Sequence, residues 1–225
     1  MSLTEGYRHA DVHDGNTTVC SLSKEDGAMW TLPLAVAIAS TFVLKAEPNH
    51  TTIGFIVPIA AGMTKVTGKF TRFDVELVYD AEEVARFRVK ADIDASSIDT
   101  GIDDRDADLR GESFFDVARH PRILFESENI ERRGDGYVAK GTLTMRGHTR
   151  PLELPFRVTS LNWHEGAPMV GVASEIAIDR NEYGIGSDWR HTLFPNFIGD
   201  DVEVEIFLWT RPGKRLEPEN ERSER

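Results

Sequence analysis

The stretch "YVAKGTLTMRGHTRPLELPFRV", Tyr137–Val158, contains two runs of alternating apolar and polar residues with a glycine between them. An alternation with a period of two places the apolar side chains on one face of a β-strand and the polar ones on the other. A short turn through Gly147 is typical of a β-hairpin. The stretch therefore predicts two antiparallel strands that share one buried face.

The same alternation recurs along most of the chain. It is clear in "ARFRVKADI" and "DVEVEIFLW", and it predicts further strands at 41–57, 66–79, 122–128 and 170–178. The exception is a capped helical connector around 103–119, in which Asp103 or Asp104 is the expected cap. About eight antiparallel strands with one apolar face need that face covered, and almost no helix is available to cover it. We therefore predict an all-β fold, an eight-stranded antiparallel closed barrel with a cavity or a packed core inside.

Composition excludes several classes of function. The net charge of −12 leaves no basic excess to neutralise phosphates, so nucleic acid is not expected as a partner. Cys20 is the only cysteine, which excludes an intramolecular disulfide and a multi-cysteine metal site. No apolar run reaches the length of a membrane-spanning helix. The acidic run that begins at Asp103 lacks the glycine of a calcium loop, so no metal is expected.

The two ends of the chain differ from its centre. Residues 1–40 form a polar leader, partly disordered, with a signal-like apolar segment from Met29. This segment favours a periplasmic or secreted protein. Because the basic region that precedes a signal is missing, a cytoplasmic location is the alternative. Residues 210–225 read as a charged disordered tail, which leaves 41–209 as the domain.

The order of several short motifs resembles the YceI-like, polyisoprenoid-binding family, whose members have a lipocalin-like barrel. The motifs are "EPNHTTIGFIV", "TKVTGKFTRFD", "IDASSIDTGIDDRDADLRGESFFDVARHPRILFES", "KGTLTMRGHTRPLELPF" and "IDRNEYGIG". The resemblance implies a bacterial binding or carrier protein, not an enzyme, that holds a polyisoprenoid or an isoprenoid-quinone-type amphiphile in the barrel lumen. It implies no cofactor beyond that bound lipid, and a homodimer is left open.

Strand parity and the resemblance together give the candidate ligand-binding residues. The inward-facing positions are Phe55, Val57, Phe70, Phe87, Val89, Ile123, Phe125, Leu143, Met145, Leu154 and Phe156. Phe114 and Phe115 are expected as an end plug or a ligand-contacting wall, and Trp189 as part of a lid. Arg105 pairs with Asp106 to hold the connector, or it meets a polar head group, and the same alternatives apply to Arg180.

Two other functions are kept beside the carrier. A barrel filled by side chains could act as a stress-response or interaction module, and an enzyme could act on a bound lipid. Small residues at Ala91, Ala139 and Gly141 on the inward faces favour an internal space, because a filled small barrel needs larger side chains there. No catalytic motif occurs in the sequence.

Overall fold

The computed structural model describes residues 41–80, 87–192 and 196–216. These residues all belong to the compact unit Ile38–Arg225. The signal-like segment before residue 41 and the last nine residues of the predicted tail lie outside the described residues. No helix within the described ranges is long and apolar enough to cross a membrane.

The described part of the chain forms one antiparallel sheet, and the prediction of an all-β fold is confirmed. Its order is β12-β1-β4-β5-β7-β8-β9-β10-β11-β2-β3-β6. The sheet curls strongly, so that inward-facing residues from strands far apart in this order meet in one core. The elements are β1 (Thr41–Lys45), β2 (Thr52–Ile59), β3 (Thr64–Phe70), β4 (Phe73–Asp80), β5 (Arg88–Asp94), β6 (Ile98–Asp99), α1 (Asp103–Arg110), β7 (Arg122–Arg133), β8 (Gly136–Met145), β9 (His148–His164), β10 (Ala167–Asp179), β11 (Asp201–Trp209) and β12 (Lys214–Arg215).

The strand count differs from the predicted eight, because twelve strands are present in the described sheet. Several expected long strands are interrupted. A 3₁₀ turn at Pro48–His50 separates β1 from β2, and proline has no N–H to donate to a sheet ladder. Two residues outside the strands, Thr71 and Arg72, separate β3 from β4. Alternation shows which residues face the core, but it does not show where a strand kinks.

The hairpin predicted from Tyr137–Val158 is present. Strands β8 and β9 pair from Tyr137 opposite Phe156 to Met145 opposite His148. The two turn residues, Arg146 and Gly147, have φ of 49° and 74°. Left-handed conformations at both positions are typical of the turn that fits the twist of a two-residue hairpin. Glycine is needed at 147 also because a Cβ there would lie 2.7 Å from the ring of His120.

The predicted helical connector is present as α1, followed by turns up to His120. Acidic residues occupy the first turn of the helix, where the helix dipole favours negative charge. The predicted aspartate cap is wrong, because the N-cap residue is Ile102 and it makes no side-chain cap hydrogen bond. The sequence pattern found the helix but placed its first residue incorrectly.

The predicted tail begins too early. Residue Thr210 bridges to Ala46, and β12 pairs with β1 through Val43 opposite Lys214. The backbone N–H of Gly213 donates to the oxygen of Pro168 in β10 at 2.9 Å. The segment after β11 therefore joins the first strand of the chain to β10, and the folded region extends at least to residue 216.

Candidate functional site

The curled sheet surrounds an apolar cavity of about 500 Å³ that is partly open to solvent. This volume lies within the range of about 300–1,000 Å³ that is usual for small-molecule sites. Among its lining residues, only Arg105, Asp108, Ser174 and Arg180 carry charged or hydroxyl side chains. Ser174 is already satisfied, because its Oγ donates to the oxygen of Pro155 at 2.6 Å. The arrangement can surround an apolar chain on most sides.

Fifteen of the sixteen predicted site residues lie in the cavity wall. They are Phe55, Val57, Phe70, Val89, Arg105, Phe114, Phe115, Ile123, Phe125, Leu143, Met145, Leu154, Phe156, Arg180 and Trp189. Small residues at Ala91 and Ala139 also line the cavity, so they leave space in the wall. Contact between any of these residues and a ligand stays a prediction.

Phe87 is the exception, and its placement in the cavity wall is wrong. Its ring packs against Tyr79 with the ring centroids 5.0 Å apart, and it is buried in the core. Phe87 lies just before β5, at the end of the strand remote from Asp94. Parity correctly places the side chain inside the sheet, but it does not show whether an inward residue meets the cavity or closely packed neighbours. Burial raises the pKa of Tyr79, so this phenol stays neutral inside the core.

Strands β10 and β11 supply wall residues that the candidate set missed. They are Val172, Ile176, Ile178, Val202, Val204, Ile206 and Leu208. The signal was present in "DVEVEIFLW", whose valines, isoleucine and leucine alternate with acidic residues. The same rule of parity that selected Leu154 and Phe156 selects these positions too.

The predicted ion pair between Arg105 and Asp106 is wrong, because both side chains bind Thr100 instead. Arg105 Nε donates to Thr100 Oγ1 at 2.7 Å, and Nη2 donates to the Thr100 backbone oxygen at 2.9 Å. The buried carboxylate of Asp106 accepts from the N–H of Thr100 at 2.9 Å and from its Oγ1 at 2.6 Å. Within the described ranges, Nη1 of Arg105 donates to no acceptor, so its two N–H groups remain available at the cavity wall.

The guanidinium of Arg180 forms its hydrogen bonds with oxygens of the protein itself. It donates to the backbone oxygens of Gly199 (2.9 Å), Ile185 (2.8 Å) and Ile198 (3.1 Å), and to a carboxylate oxygen of Asp200 at 3.0 Å. Only 12% of its side chain is exposed. Arg180 therefore holds the segment between β10 and β11 in place. Of its two predicted roles, these contacts favour the structural one over contact with a polar head group.

Aromatic residues line the same end of the cavity as α1. The centroid of Trp189 lies 6.1 Å from that of Phe114 and 6.0 Å from that of Phe197. The ring of Phe115 meets Phe70 edge to face at 5.8 Å. We call Phe114, Phe115, Trp189 and Phe197 the aromatic cluster. All four of its members line the cavity. Phe194, which the sequence places in the same aromatic loop as Trp189 and Phe197, lies outside the described residues.

The cavity opens to solvent beside this cluster. Asp108 of α1 lines the cavity and is also exposed, whereas Phe114 is buried. Both charged groups contributed by α1 to the wall, Arg105 and Asp108, therefore lie at the open end. We call this region the cavity mouth. No group of three or more His, Cys, Asp or Glu side chains in the described ranges could hold a metal ion.

The curled antiparallel sheet and its apolar cavity define an all-β protein with an internal small-molecule pocket. The match to a family model is specific: residues 44–208 match the YceI-like domain. Because this match covers most of the chain, the protein belongs to the YceI-like family, as the motif series indicated.

Two relatives of similar sequence come from Yersinia and Vibrio. The UPF0312 protein of Yersinia pestis (strain Pestoides F) is 35% identical over 123 residues, which are 55% of this chain and 64% of that protein. The chain thus spans less than two thirds of that relative. A UPF0312 protein of Vibrio cholerae is 28% identical over 70% of this chain and 84% of its own.

Solved structures share the fold. The TM-score is 0.65 to Burkholderia cenocepacia BcnA at 21% identity, covering 74% of this chain and 99% of that one. It is 0.55 to a polyisoprenoid binding domain from Saccharophagus degradans implicated in plant cell wall breakdown, at 17% identity, covering 77% of this chain and 99% of that one. At these identities the likeness concerns the fold alone.

Proposed function

We propose that the protein binds a polyisoprenoid or an isoprenoid-quinone-type lipid in its cavity and carries it without altering it. The observation that carries this proposal is the almost entirely apolar wall of a 500 Å³ cavity. Burial of a methylene group contributes about 0.8 kcal/mol, so a five-carbon prenyl unit contributes roughly 4 kcal/mol before ordering costs. Such a ligand needs few polar contacts to bind tightly. The polyisoprenoid-binding domain of similar fold supports the same class of ligand.

A closed barrel of eight longer segments is the architecture that we infer for this carrier. Strands β1 and β2 follow each other along the chain, and they pair on one side with β4 and β3. On the other side they pair with β12 and β11, which also follow each other. Strands β5 and β6 form a fourth consecutive pair beside β4 and β3. When each of these four pairs is counted as one kinked segment, the twelve strands become eight segments, and the first segment has partners on both sides. Closure would keep water from the apolar tail along the whole wall.

The mouth favours a ligand with a neutral head group. Arg180 gives its donors to protein oxygens, and Arg105 donates one hydrogen bond from Nε and one from Nη2 to Thr100. Nη1 of Arg105, which has no acceptor among the described residues, can donate to a neutral acceptor such as a quinone carbonyl. Asp108 adds negative charge at the same place, which opposes a phosphate or diphosphate. The polar head therefore lies at α1 and the tail lies deeper in the cavity.

The two alternatives have weaker support. A barrel filled by its own side chains is hard to reconcile with a cavity of this size. Covalent catalysis would need a nucleophile beside a base, and no histidine or cysteine is found among the described residues that line the cavity. As part of the same proposal, the signal-like segment favours a carrier in the periplasm or outside the cell, with a cytoplasmic carrier as the alternative.

Calorimetric titration of the full chain tests the proposal. The ligands are a prenyl quinone, a prenyl phosphate with the same tail, and the quinone ring without a tail. We expect the prenyl quinone to bind, the phosphate to bind more weakly, and the ring alone to bind too weakly to measure. Equal affinity for the ring with and without its tail would contradict binding in the apolar cavity. Equal affinity for the prenyl quinone and the prenyl phosphate would contradict the preference for a neutral head group, but not binding of the tail in the cavity.

A further inference from the structure

The turn between β2 and β3 lies beside the cavity mouth. We call residues Ala60–Met63 the hairpin tip. The strands that lead to it contribute Val57, Ile59 and Val66 to the cavity wall. The N–H of Ala60 donates to the backbone oxygen of Phe197, a member of the aromatic cluster, at 2.7 Å. The hairpin tip is therefore attached to the aromatic cluster that lines this end of the cavity.

The hairpin tip is exposed and uncharged. Met63 is 72% exposed, the largest value among the exposed large hydrophobic residues of the described part. No charged residue occurs from Thr51 to Thr64, although 28% of the whole chain is charged. Two exposed lysines, Lys65 and Lys69, follow on β3. An exposed apolar tip with lysines on one adjoining strand combines two features that favour contact with the boundary between lipid head groups and acyl chains.

We propose that the hairpin tip docks the protein onto the surface of a lipid bilayer, so that the cavity mouth faces the membrane from which the ligand is taken. This inference rests on the proposed function, because an insoluble prenyl lipid resides in a membrane before it reaches the protein. Docking at the tip lets the tail pass from acyl chains to the cavity wall with little exposure to water. It also gives the exposed Met63 an apolar environment.

The charge of the molecule selects the kind of bilayer. The net charge is −12, and exposed acidic residues, Asp103, Asp104 and Asp108, occur in α1 at the mouth. An anionic surface repels such a protein at low ionic strength. Lys65 and Lys69 are too few to offset this charge, so the docking surface is a bilayer of zwitterionic lipid.

Vesicle flotation with the full chain tests the docking. The vesicles consist of phosphatidylcholine without any prenyl lipid, so that binding of the cargo does not contribute. The variant Met63→Glu places a charge at the tip. The matched control is Leu161→Glu, because Leu161 is 45% exposed near the far end of β9. Burial of a methionine side chain contributes enough for a change of about tenfold or more, so Met63→Glu should weaken partitioning by that factor. Leu161→Glu should leave partitioning within about twofold of the wild type, because Leu161 does not enter the bilayer in the proposed orientation.

The outcomes separate docking from cargo binding. Wild-type protein that does not float with the vesicles overturns the proposal, and so does an equal loss in both variants. Stronger flotation with vesicles that contain phosphatidylserine overturns the choice of a zwitterionic surface. Should Met63→Glu fail to fold, Met63→Gln removes the apolar group without a charge and should weaken flotation severalfold. Titration with prenyl quinone in vesicle-free solution tests the proposed function alone. Absence of binding by the wild type there would contradict the proposed function, and Met63→Glu should bind the quinone as tightly as the wild type does.

Discussion

Filling the cavity from Ala91 shows whether the ligand occupies it. Ala91 lies in the middle of β5, opposite Val75 on one neighbouring strand and Phe125 on the other. It lines the cavity. The substitution Ala91→Phe places a ring where the structure leaves space. Any ligand that lies along this wall must then shorten, bend or leave.

The expected loss of affinity is large. A phenyl ring displaces about one five-carbon unit of a prenyl tail, and at about 0.8 kcal/mol per methylene this removes about 4 kcal/mol. That free energy corresponds to almost three orders of magnitude in Kd. A flexible tail recovers part of this by taking another path, so we expect Kd to rise by about thirtyfold to a thousandfold.

Isothermal titration with a prenyl quinone measures this change. The matched control is Ala177→Phe, because Ala177 is exposed on β10 between the wall residues Ile176 and Ile178. The same ring on the outer face should leave Kd within about twofold of the wild type. Thermal unfolding checks that both variants fold. Overpacking of Ala91→Phe should cost no more than about 1–3 kcal/mol.

Two results would refute the reasoning. A folded Ala91→Phe variant with the affinity of the wild type would show that the ligand binds outside the cavity. An equal loss in Ala177→Phe would show that the effect comes from added apolar surface rather than from lost space.

Three further predictions concern the structure that supports the cavity. Arg180→Ala removes four hydrogen bonds and should lower the free energy of unfolding by about 2–4 kcal/mol in urea titrations; no loss would contradict its structural role. Gly68→Ala should weaken prenyl quinone binding severalfold in titrations, because the new Cβ would lie 2.3 Å from the ring of Phe55 and displace it into the cavity; unchanged affinity would contradict this. Hydrogen bonds from Ser96 hold the pKa of Asp94 below its usual value of 3.8, so this carboxylate stabilises the fold above that pH. Asp94→Ala should therefore be less stable than the wild type by about 1 kcal/mol at pH 7, and the gap should narrow as the pH falls below 3.8; a constant gap in unfolding experiments would contradict the linkage.

Much of the cavity wall can be predicted from the sequence, because the alternation of inward and outward side chains along a strand depends only on neighbouring residues. Leu143, Leu154 and Phe156 were placed inside the sheet from alternation alone, and all three line the cavity. The β8–β9 hairpin follows from the glycine turn between its two strands. The short connector helix follows from an acidic run that does not alternate.

The remaining features depend on contacts between distant parts of the chain. Arg105 binds Thr100 rather than Asp106, and no spacing rule distinguishes these partners. Phe87 faces inward but packs on Tyr79, because the cavity does not extend to that end of the sheet. The hydrogen bond from Gly213 to Pro168 of β10 joins residues far apart in the chain, so local pattern does not predict that the folded region continues past residue 209.

The most direct test of the lipid-carrier function is solvent extraction of the full chain purified from its native host, followed by mass spectrometry of the extract. We expect a prenyl lipid, with a neutral head group, in an amount close to that of the protein. The Ala91→Phe variant purified in parallel should carry much less of it, and Ala177→Phe should carry as much as the wild type. Wild-type protein without any prenyl lipid, and without uptake of added prenyl quinone, would contradict the proposed function.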